Sequence, residues 1–237
     1  MRIGIIGYGK MGKMIESISI ERNHTIALIV DNAPTHEELI NAKLDVAIEF
    51  TMPEVAYNNL TLLANAKVPT VSGTTGWLDK FEEISNLFKT NGSAFIHATN
   101  YSLGVNLFFA LNQQLAKLMK NYTNEYNVSM EEIHHTQKLD APSGTAITLA
   151  EGILNELPNK QKWILGKETQ PTEIGITHKR IDPVPGTHSV TYHSKVDEIE
   201  IKHTAHSREG FALGAVIAAE WIKDKKGIFT MRDVLGL

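Results

Sequence analysis

The sequence predicts an α/β protein with an N-terminal domain built on a parallel sheet and a second, α+β domain. Three observations predict it. Over roughly the first hundred residues, short apolar or β-branched runs alternate with stretches of helical spacing, the signature of βαβ units with right-handed crossovers. A glycine-rich turn, Gly7-Tyr8-Gly9-Lys10-Met11-Gly12, joins the first run to the first helix. After Tyr101 the alternation gives way to a long helix and then to strands joined by turns.

The elements follow in order. Residues 2–6 form a short apolar strand, and residues 10–21 carry helical spacing. Residues 25–30 are β-branched and apolar and end at Asp31. A third strand is expected at 45–50. Residues 53–66 read as a helix with Pro53 in its first turn, where a missing N–H is harmless. A strand at 68–72, a helix at 77–90 and a strand at 93–97 complete the alternation. In the second domain, 103–119 is a long helix, 126–134 a strand and 143–157 another helix. Residues 173–205 read as strands, with Pro183, Pro185 and Gly186 marking a turn. A last helix at 210–223 is expected to pack back on the first domain. The expected division is 1–103 plus 209–237 against 104–208.

Composition excludes several classes. The chain has 237 residues, enough for a sizeable core in each domain. Hydrophobic residues make up 42% and charged residues 21%, an ordinary globular mixture. The formal charge is -4 and the basic residues are dispersed, so nucleic acid is not an expected partner. Cysteine is absent, which rules out disulfides, thiolate metal ligands and a cysteine nucleophile. No apolar run approaches the ~20 residues that span a bilayer. The apolar N-terminus breaks at glycines too soon for a signal segment. The expectation is a cytoplasmic protein with no membrane partner.

The glycine turn fits G-x-G-x-x-G in the required context, after a strand and opening a helix. Gly7 permits the tight turn, Gly9 lets the backbone approach a pyrophosphate, and Gly12 lets helix and strand pack closely. Tyr8, Lys10 and Met11 lie in the same loop, whose free N–H groups would face the anion. Such a motif also serves as a plain turn. Asp31 supports the binding reading, since it stands about 20 residues on, where a carboxylate binds a ribose 2′-hydroxyl. Alternatively, Asp31 is a surface group at a strand end. No arginine or lysine adjoins it, and a carboxylate repels a 2′-phosphate, so NADH is expected ahead of NADPH.

Open parallel sheets bind ligands at the carboxyl ends of their strands. Three further strand ends are candidates: Phe50-Thr51-Met52-Pro53, Gly73-Thr74-Thr75-Gly76 and Ala98-Thr99-Asn100-Tyr101. Each alone could be an ordinary turn. Together, at one sheet edge, they read as cofactor contacts.

The densest chemistry lies in Glu132-Ile133-His134-His135-Thr136-Gln137-Lys138-Leu139-Asp140-Ala141-Pro142-Ser143-Gly144-Thr145-Ala146. Ser143 is a candidate helix N-cap. The N–H groups of Gly144 and Thr145 are then left at a positive helix end, a ready carboxylate site. Lys138 adds a full positive charge. His134 has an unperturbed pKa near neutrality, as a proton donor needs. Adjacent histidines on a strand point to opposite faces, so His134 and His135 do not easily share an ion, and no metal is expected. A merely structural cluster is the plainer alternative.

This segment resembles the dihydrodipicolinate reductase family, whose hallmark is E-x-H-H-x-x-K-x-D-A-P-S-G-T-A; residues 132–146 match every specified position. Further segments resemble the family in order: Ile5 to Gly12, Phe50-Thr51 with Pro53, Gly73 to Gly76, Asn100 to Asn106, His203 to Arg208 and Met231 to Leu235. The resemblance implies a Rossmann-like cofactor domain and a substrate domain whose sheet builds a homotetramer. It implies hydride transfer from NADH or NADPH to a cyclic imine dicarboxylate, 4-hydroxy-tetrahydrodipicolinate, yielding tetrahydrodipicolinate on the diaminopimelate route to lysine. His134 matches the family's proton donor and Lys138 its second catalytic residue. His135 and the helix start at Ser143, Gly144 and Thr145 match substrate contacts. The glycine loop, Asp31, Gly73 to Thr75 and Ala98 to Tyr101 match cofactor contacts. Because the loop and the His134 segment fall in different domains, closure on substrate is expected.

The chain departs from the family pattern twice. Its glycine loop is one residue shorter than G-x-G-G-R-M-G, with Lys10 in place of the arginine. Residues 180–188 match R-x-G…G-x-H only in part, because Asp182 replaces the first glycine. Two rival readings lack their signals. A sugar or hydroxyacid oxidoreductase would carry E-K-P after a central strand, and a nicotinamide-sensing protein would carry an output module.

Overall fold

The computed structural model describes residues 1–237. In chain order the elements are β1 (Arg2–Ile6), α1 (Lys10–Glu21), β2 (Thr25–Val30), α2 (His36–Ala42), β3 (Val46–Glu49), α3 (Pro53–Asn65), β4 (Thr70–Ser72), α4 (Phe81–Thr90) and β5 (Ala94–His97). Then come α5 (Leu103–Met119), β6 (Asn127–His134), α6 (Gly144–Leu154), β7 (Lys162–Leu165), β8 (Glu173–Arg180), β9 (Gly186–His193), β10 (Glu198–Ala205), α7 (Glu209–Ile222), β11 (Gly227–Phe229) and α8 (Met231–Leu235). They form two compact units, one of Met1–Leu103 with Glu209–Leu237 and one of Gly104–Arg208. No helix is long and apolar enough to cross a membrane.

The first unit holds a six-stranded sheet in the order β11-β5-β4-β3-β1-β2, with every pair parallel. Its central strands are buried on both faces, which explains their unbroken apolar runs, Ile3 to Ile6 and Val46 to Ile48. One face packs Ile3, Ile5, Val71 and Ile96 against Ile15 of α1 and the alanine-rich α7. Helix α7 is apolar nearly all round, as a helix sunk in a core must be. Gly214 belongs to it because a Cβ there would collide with the Tyr101 carbonyl oxygen. The other face packs Ile6, Ala47 and Phe95 against Leu60 and Leu63 of α3 and Ile84 and Phe88 of α4.

The second unit is α+β. Its five-stranded mixed sheet runs β10-β9-β6-β8-β7. Strands β6, β7 and β8 are parallel, and β9 and β10 add antiparallel. Strand β6 alternates strictly, turning Val128, Met130, Glu132 and His134 inward. The apolar pair joins Phe108 and Ala116 of α5 and Leu149 and Ile153 of α6 in the unit's core. The last two inward positions are charged or titratable, so the strand passes from core to site.

The Rossmann-like parallel sheet and the α+β second unit are the architecture the sequence predicts. Several elements were not predicted. Helix α2 has a sequence signal, the capping box Thr35…Glu38: Thr35 Oγ1 accepts from the Glu38 N–H at 3.2 Å, and Glu38 Oε2 accepts from the Thr35 N–H at 2.7 Å. Strand β11 pairs Ile228 with Phe95 at the sheet edge, an assignment made by the neighbouring strand and not by any local pattern. Strand β7 and helix α8 also went unread. The helix expected at 77–90 starts as a 3₁₀ turn at Leu78–Lys80.

Candidate active site

In the first unit, the glycine loop, Phe50-Thr51 and Gly73 to Thr75 gather at the carboxyl ends of β1, β3 and β4. Gly7 leaves β1 with φ +97, a conformation that favours glycine, and its N–H donates to the Val30 carbonyl at 2.7 Å. Gly9 is the N-cap of α1. A Cβ on Gly12 would collide with the Gly7 carbonyl oxygen, so α1 can start this close to β1 only with glycine there. Asp31 is exposed at the end of β2, and its Oδ1 accepts the Tyr8 N–H at 3.2 Å. Gly9, Lys10 and Met11 face Phe50, Thr51 and Gly73 to Thr75 across a cavity of about 450 Å³. This bare-backbone cradle, with free N–H groups at a helix start, fits a dinucleotide phosphate.

Glu49 organises that rim, and the sequence reading passed over it as part of an apolar strand. It is fully buried at the end of β3. Its Oε1 accepts from Thr74 Oγ1 at 2.7 Å and from the Thr51 N–H at 3.1 Å, as well as from Thr51 Oγ1. Its Oε2 accepts from Ser72 Oγ at 2.6 Å. Tyr101 lies beneath the strand ends, 2% exposed, with its hydroxyl donating to the Ser72 carbonyl at 2.7 Å. Its side chain is therefore a strut under the rim rather than a surface contact. Ala98, Thr99 and Asn100 do not line the cavity; Asn100 Oδ1 accepts the Ser102 N–H at 2.9 Å.

In the second unit, strand register assembles the other cluster. Glu132 pairs across to His188 on β9, and His134 pairs across to Arg180 on β8. Glu132 is fully buried. Its Oε2 accepts the Ser143 N–H at 2.9 Å, and its Oε1 accepts from Arg180 Nη2 at 3.3 Å. Burial opposes its ionisation, but hydrogen bonds from Ser143 and the nearby His134 and Arg180 win and hold it below the usual carboxylate range. His134 is 6% exposed, edge-on to His188 with ring centroids 5.0 Å apart. Burial lowers its pKa, Glu132 raises it, Lys138 and Arg180 lower it, and Asp140 raises it, for a net fall. Burial, with His134 beside it, pushes His188 down to about 4.

Ser143 caps α6, its Oγ accepting the Ala146 N–H at 3.2 Å and lying 3.0 Å from His188 Nε2. Its polar groups are thus spent inside the protein. The N–H groups of Gly144 and Thr145 have no partner within the chain and remain for a ligand. Lys138 Nζ is held by both oxygens of Asp140, at 2.8 and 2.9 Å. His135, the first residue after β6, is half-buried. Arg180 and Asp182 fasten the loop between them. Arg180 donates to the carbonyls of Lys138 and Asp140 at 3.2 and 2.8 Å, and Asp182 accepts the Thr136 N–H at 3.0 Å. Asp182, the departure from the family pattern, is therefore a loop anchor. Donor atoms of Glu132, His134 and His188 lie within 4.8 Å of one another. A cation placed among them would have to displace the Arg180 guanidinium and the Ser143 N–H from Glu132.

Fold and site together define a two-unit protein of the nicotinamide-dinucleotide oxidoreductase class. The family model described as dihydrodipicolinate reductase, N-terminus, matches residues 1–101, and that described as its C-terminus matches residues 104–235. The chain belongs to the dihydrodipicolinate reductase family. It is similar to the 4-hydroxy-tetrahydrodipicolinate reductase of Christiangramia forsetii, 53% identical over 235 residues that cover 99% of this chain and 98% of the relative. The reductase of the same name from Methanococcoides burtonii is 41% identical over 213 residues, 88% of this chain and 79% of the relative. A dipicolinate-bound dihydrodipicolinate reductase from a Paenisporosarcina species shares the fold, with a TM-score of 0.78 at 24% identity over 97% of each chain. So does an amine dehydrogenase from Mycobacterium smegmatis, with a TM-score of 0.60 at 10% identity over 97% of this chain and 94% of that one.

Proposed function

We propose that the protein reduces 4-hydroxy-tetrahydrodipicolinate to tetrahydrodipicolinate, the 4-hydroxyl leaving as water, with NADH preferred over NADPH. One observation carries the reading. A buried imidazole, a lysine ammonium and an open helix N-terminus occur together in the loop 134–145 of the second unit. A dicarboxylate whose ring carbon must be protonated needs that set of groups. The Gly144 and Thr145 N–H groups, at the positive end of α6, hold one carboxylate. Lys138 leaves Asp140 to neutralise the substrate's charge. His134 donates a proton to the ring carbon. In the free protein burial disfavours its charged form; a bound dianion restores it, so the acid is armed when substrate arrives.

Gly7 to Gly12 would hold the dinucleotide phosphates, Asp31 the ribose hydroxyls, and Phe50, Thr51 and Gly73 to Thr75 the nicotinamide end. When bound, the nicotinamide supplies the hydride. Asp31 favours NADH because its carboxylate repels a 2′-phosphate. Assembly as a homotetramer through the second unit's sheet belongs to the same reading. The sheet's polar face, with Ser129, Glu131, Thr177, Ser189 and Thr191 bordering one shallow cavity, supports it.

The test is a coupled assay. Substrate is made in solution by condensing pyruvate with aspartate semialdehyde through the enzyme that performs that step. Pyruvate-dependent loss of NADH absorbance that requires this protein is expected, with a slower loss of NADPH. If neither cofactor is consumed while both bind, the reading fails.

A further inference from the structure

We propose that Glu132 is the positioning residue of this site: it fixes which nitrogen of His134 carries the proton and ties that imidazole to the start of α6. The proposal rests on the reading of His134 as proton donor. It names what orients that donor.

The geometry begins with β6. Glu132 and His134 are two residues apart on a strand, so both side chains leave the same face. A fully buried carboxylate is tolerated only when its oxygens are satisfied. Ser143 and Arg180 satisfy one oxygen each, and His188 Nε2 stands 3.8 Å away. The remaining neighbour is His134 Nδ1, 3.9 Å from Oε1. That nitrogen is buried and has no hydrogen-bond partner. Closing the gap by about 1 Å makes a charge-assisted bond, and Glu132 is an acceptor only. Such a bond places the proton on Nδ1 and leaves Nε2 as the working atom. Gly186 keeps that edge of the ring uncovered, since a Cβ there would sit 3.2 Å from both Nε2 and Cδ2.

The same carboxylate reaches the ligand end of the site. Its Oε2 accepts the N–H of Ser143, the cap of α6, whose next two N–H groups are free. One group thus sets the proton donor and the carboxylate-binding helix in a single frame.

The charged or titratable groups acting on His134 are Glu132 on its own strand, Lys138 and Asp140 on the loop, Arg180 on β8 and His188 on β9. Burial and the cations favour a neutral ring, and Glu132 is the largest influence the other way. Removing its charge leaves a ring that holds a proton only at lower pH.

Two measurements test this. In the unaltered free protein, nitrogen NMR of the His134 ring, assigned by loss of its signal in His134→Gln, should show the Nδ1–H tautomer. An Nε2–H tautomer overturns the proposal, and that result does not depend on any Glu132 variant folding. Glu132→Gln keeps the shape and still accepts the Ser143 N–H. Its His134 titration midpoint should fall by about 1 to 3 pH units, as expected on losing an opposite charge at this range. The kcat limb that reports the acid should move to lower pH by the same amount, with the dinucleotide Kd unchanged. Glu132→Asp, which keeps the charge, should recover most of the midpoint. A purely structural role would lower Tm and scale kcat equally at all pH, and an unmoved midpoint overturns the proposal. Both NMR results stand even if the wild-type protein shows no reductase turnover, so failure of the functional reading remains distinguishable.

Discussion

Glu49 and Thr74 are joined by a 2.7 Å hydrogen bond from the threonine hydroxyl to a carboxylate with no exposed surface. The bond links the end of β3 to the loop after β4, and Ser72 closes the same bracket at 2.6 Å. Replacing Glu49 with alanine leaves buried hydroxyls without an acceptor, at a cost of about 1–3 kcal/mol for each group. Glu49→Gln keeps the bulk but presents an NH₂ where Oε1 or Oε2 now accepts. We expect Glu49→Gln to fold with a lowered Tm and to bind NADH several-fold more weakly by fluorescence titration. Unchanged NADH affinity in a folded variant would show that the rim stands without this carboxylate.

The glycines of the first loop predict opposite phenotypes. A Cβ on Gly9 meets nothing within 4 Å, whereas one on Gly12 strikes the Gly7 carbonyl. Gly9→Ala should melt like the parent protein but lose dinucleotide affinity, because the new methyl fills the space a pyrophosphate needs. Gly12→Ala should lose about 1–3 kcal/mol of stability through overpacking before any ligand is considered. Thermal melts with and without NADH separate the two. Equal melting temperatures for both variants would contradict the packing described here.

His134→Gln and Lys138→Ala should each retain dinucleotide binding, since both residues belong to the second unit and the cradle to the first. Each should lose roughly 10²-fold or more in turnover, the scale of a missing acid or of a missing charge on the developing anion. Steady-state kinetics in the coupled assay, paired with NADH titration, measures both quantities. Full turnover in both variants would remove them from the mechanism.

His188 carries a pH dependence of stability. Its imidazole, ordinarily near 6.5, is pushed to about 4 in the fold, chiefly by burial. The unfolded chain therefore takes up a proton first as the pH drops. The stability is present above about 6.5 and is lost between there and about 4, by up to roughly 3 kcal/mol at 1.4 kcal/mol per unit. His134, His97 and His203, lowered mainly by burial, act in the same direction. Glu132, held low, loses its contribution only further into acid. Urea denaturation at pH 7, 6 and 5 should show a falling free energy, with a shallower fall in His188→Asn. A flat profile in the parent protein would refute this account.

Asp31→Ala should narrow the preference for NADH. The carboxylate lost is the group proposed to oppose a 2′-phosphate, while the Tyr8 N–H it accepts stands at an exposed loop. The ratio of kcat/KM for NADH and NADPH is the readout. A ratio unaltered by the substitution would place the ribose elsewhere.

Much of this molecule is legible in one dimension because the causes are local. The alternating runs of the first unit, the glycine turn, Pro53 in the first turn of α3 and Ser143 as the cap of α6 each follow from residues a few positions apart. Helix α2 is equally local in origin, through Thr35 and Glu38. The hallmark loop, being continuous, carried its own resemblance.

What the chain order conceals is lateral company. Arg180 reaches Glu132 and the His134 loop because β8 pairs beside β6, and His188 reaches Ser143 because β9 pairs on the other side. Glu49 reads as one polar letter in an apolar strand until β4 brings Ser72 and the loop after it brings Thr74. Buried carboxylates of this kind exist only because distant donors satisfy them, and desolvation makes the partners compulsory. The sequence by itself determined the two-unit α/β plan and singled out His134, Lys138 and the glycine loop as candidates. Tertiary structure alone decided which carboxylate stands behind His134, because sheet register, and not proximity along the chain, sets who meets whom in a site built across strands.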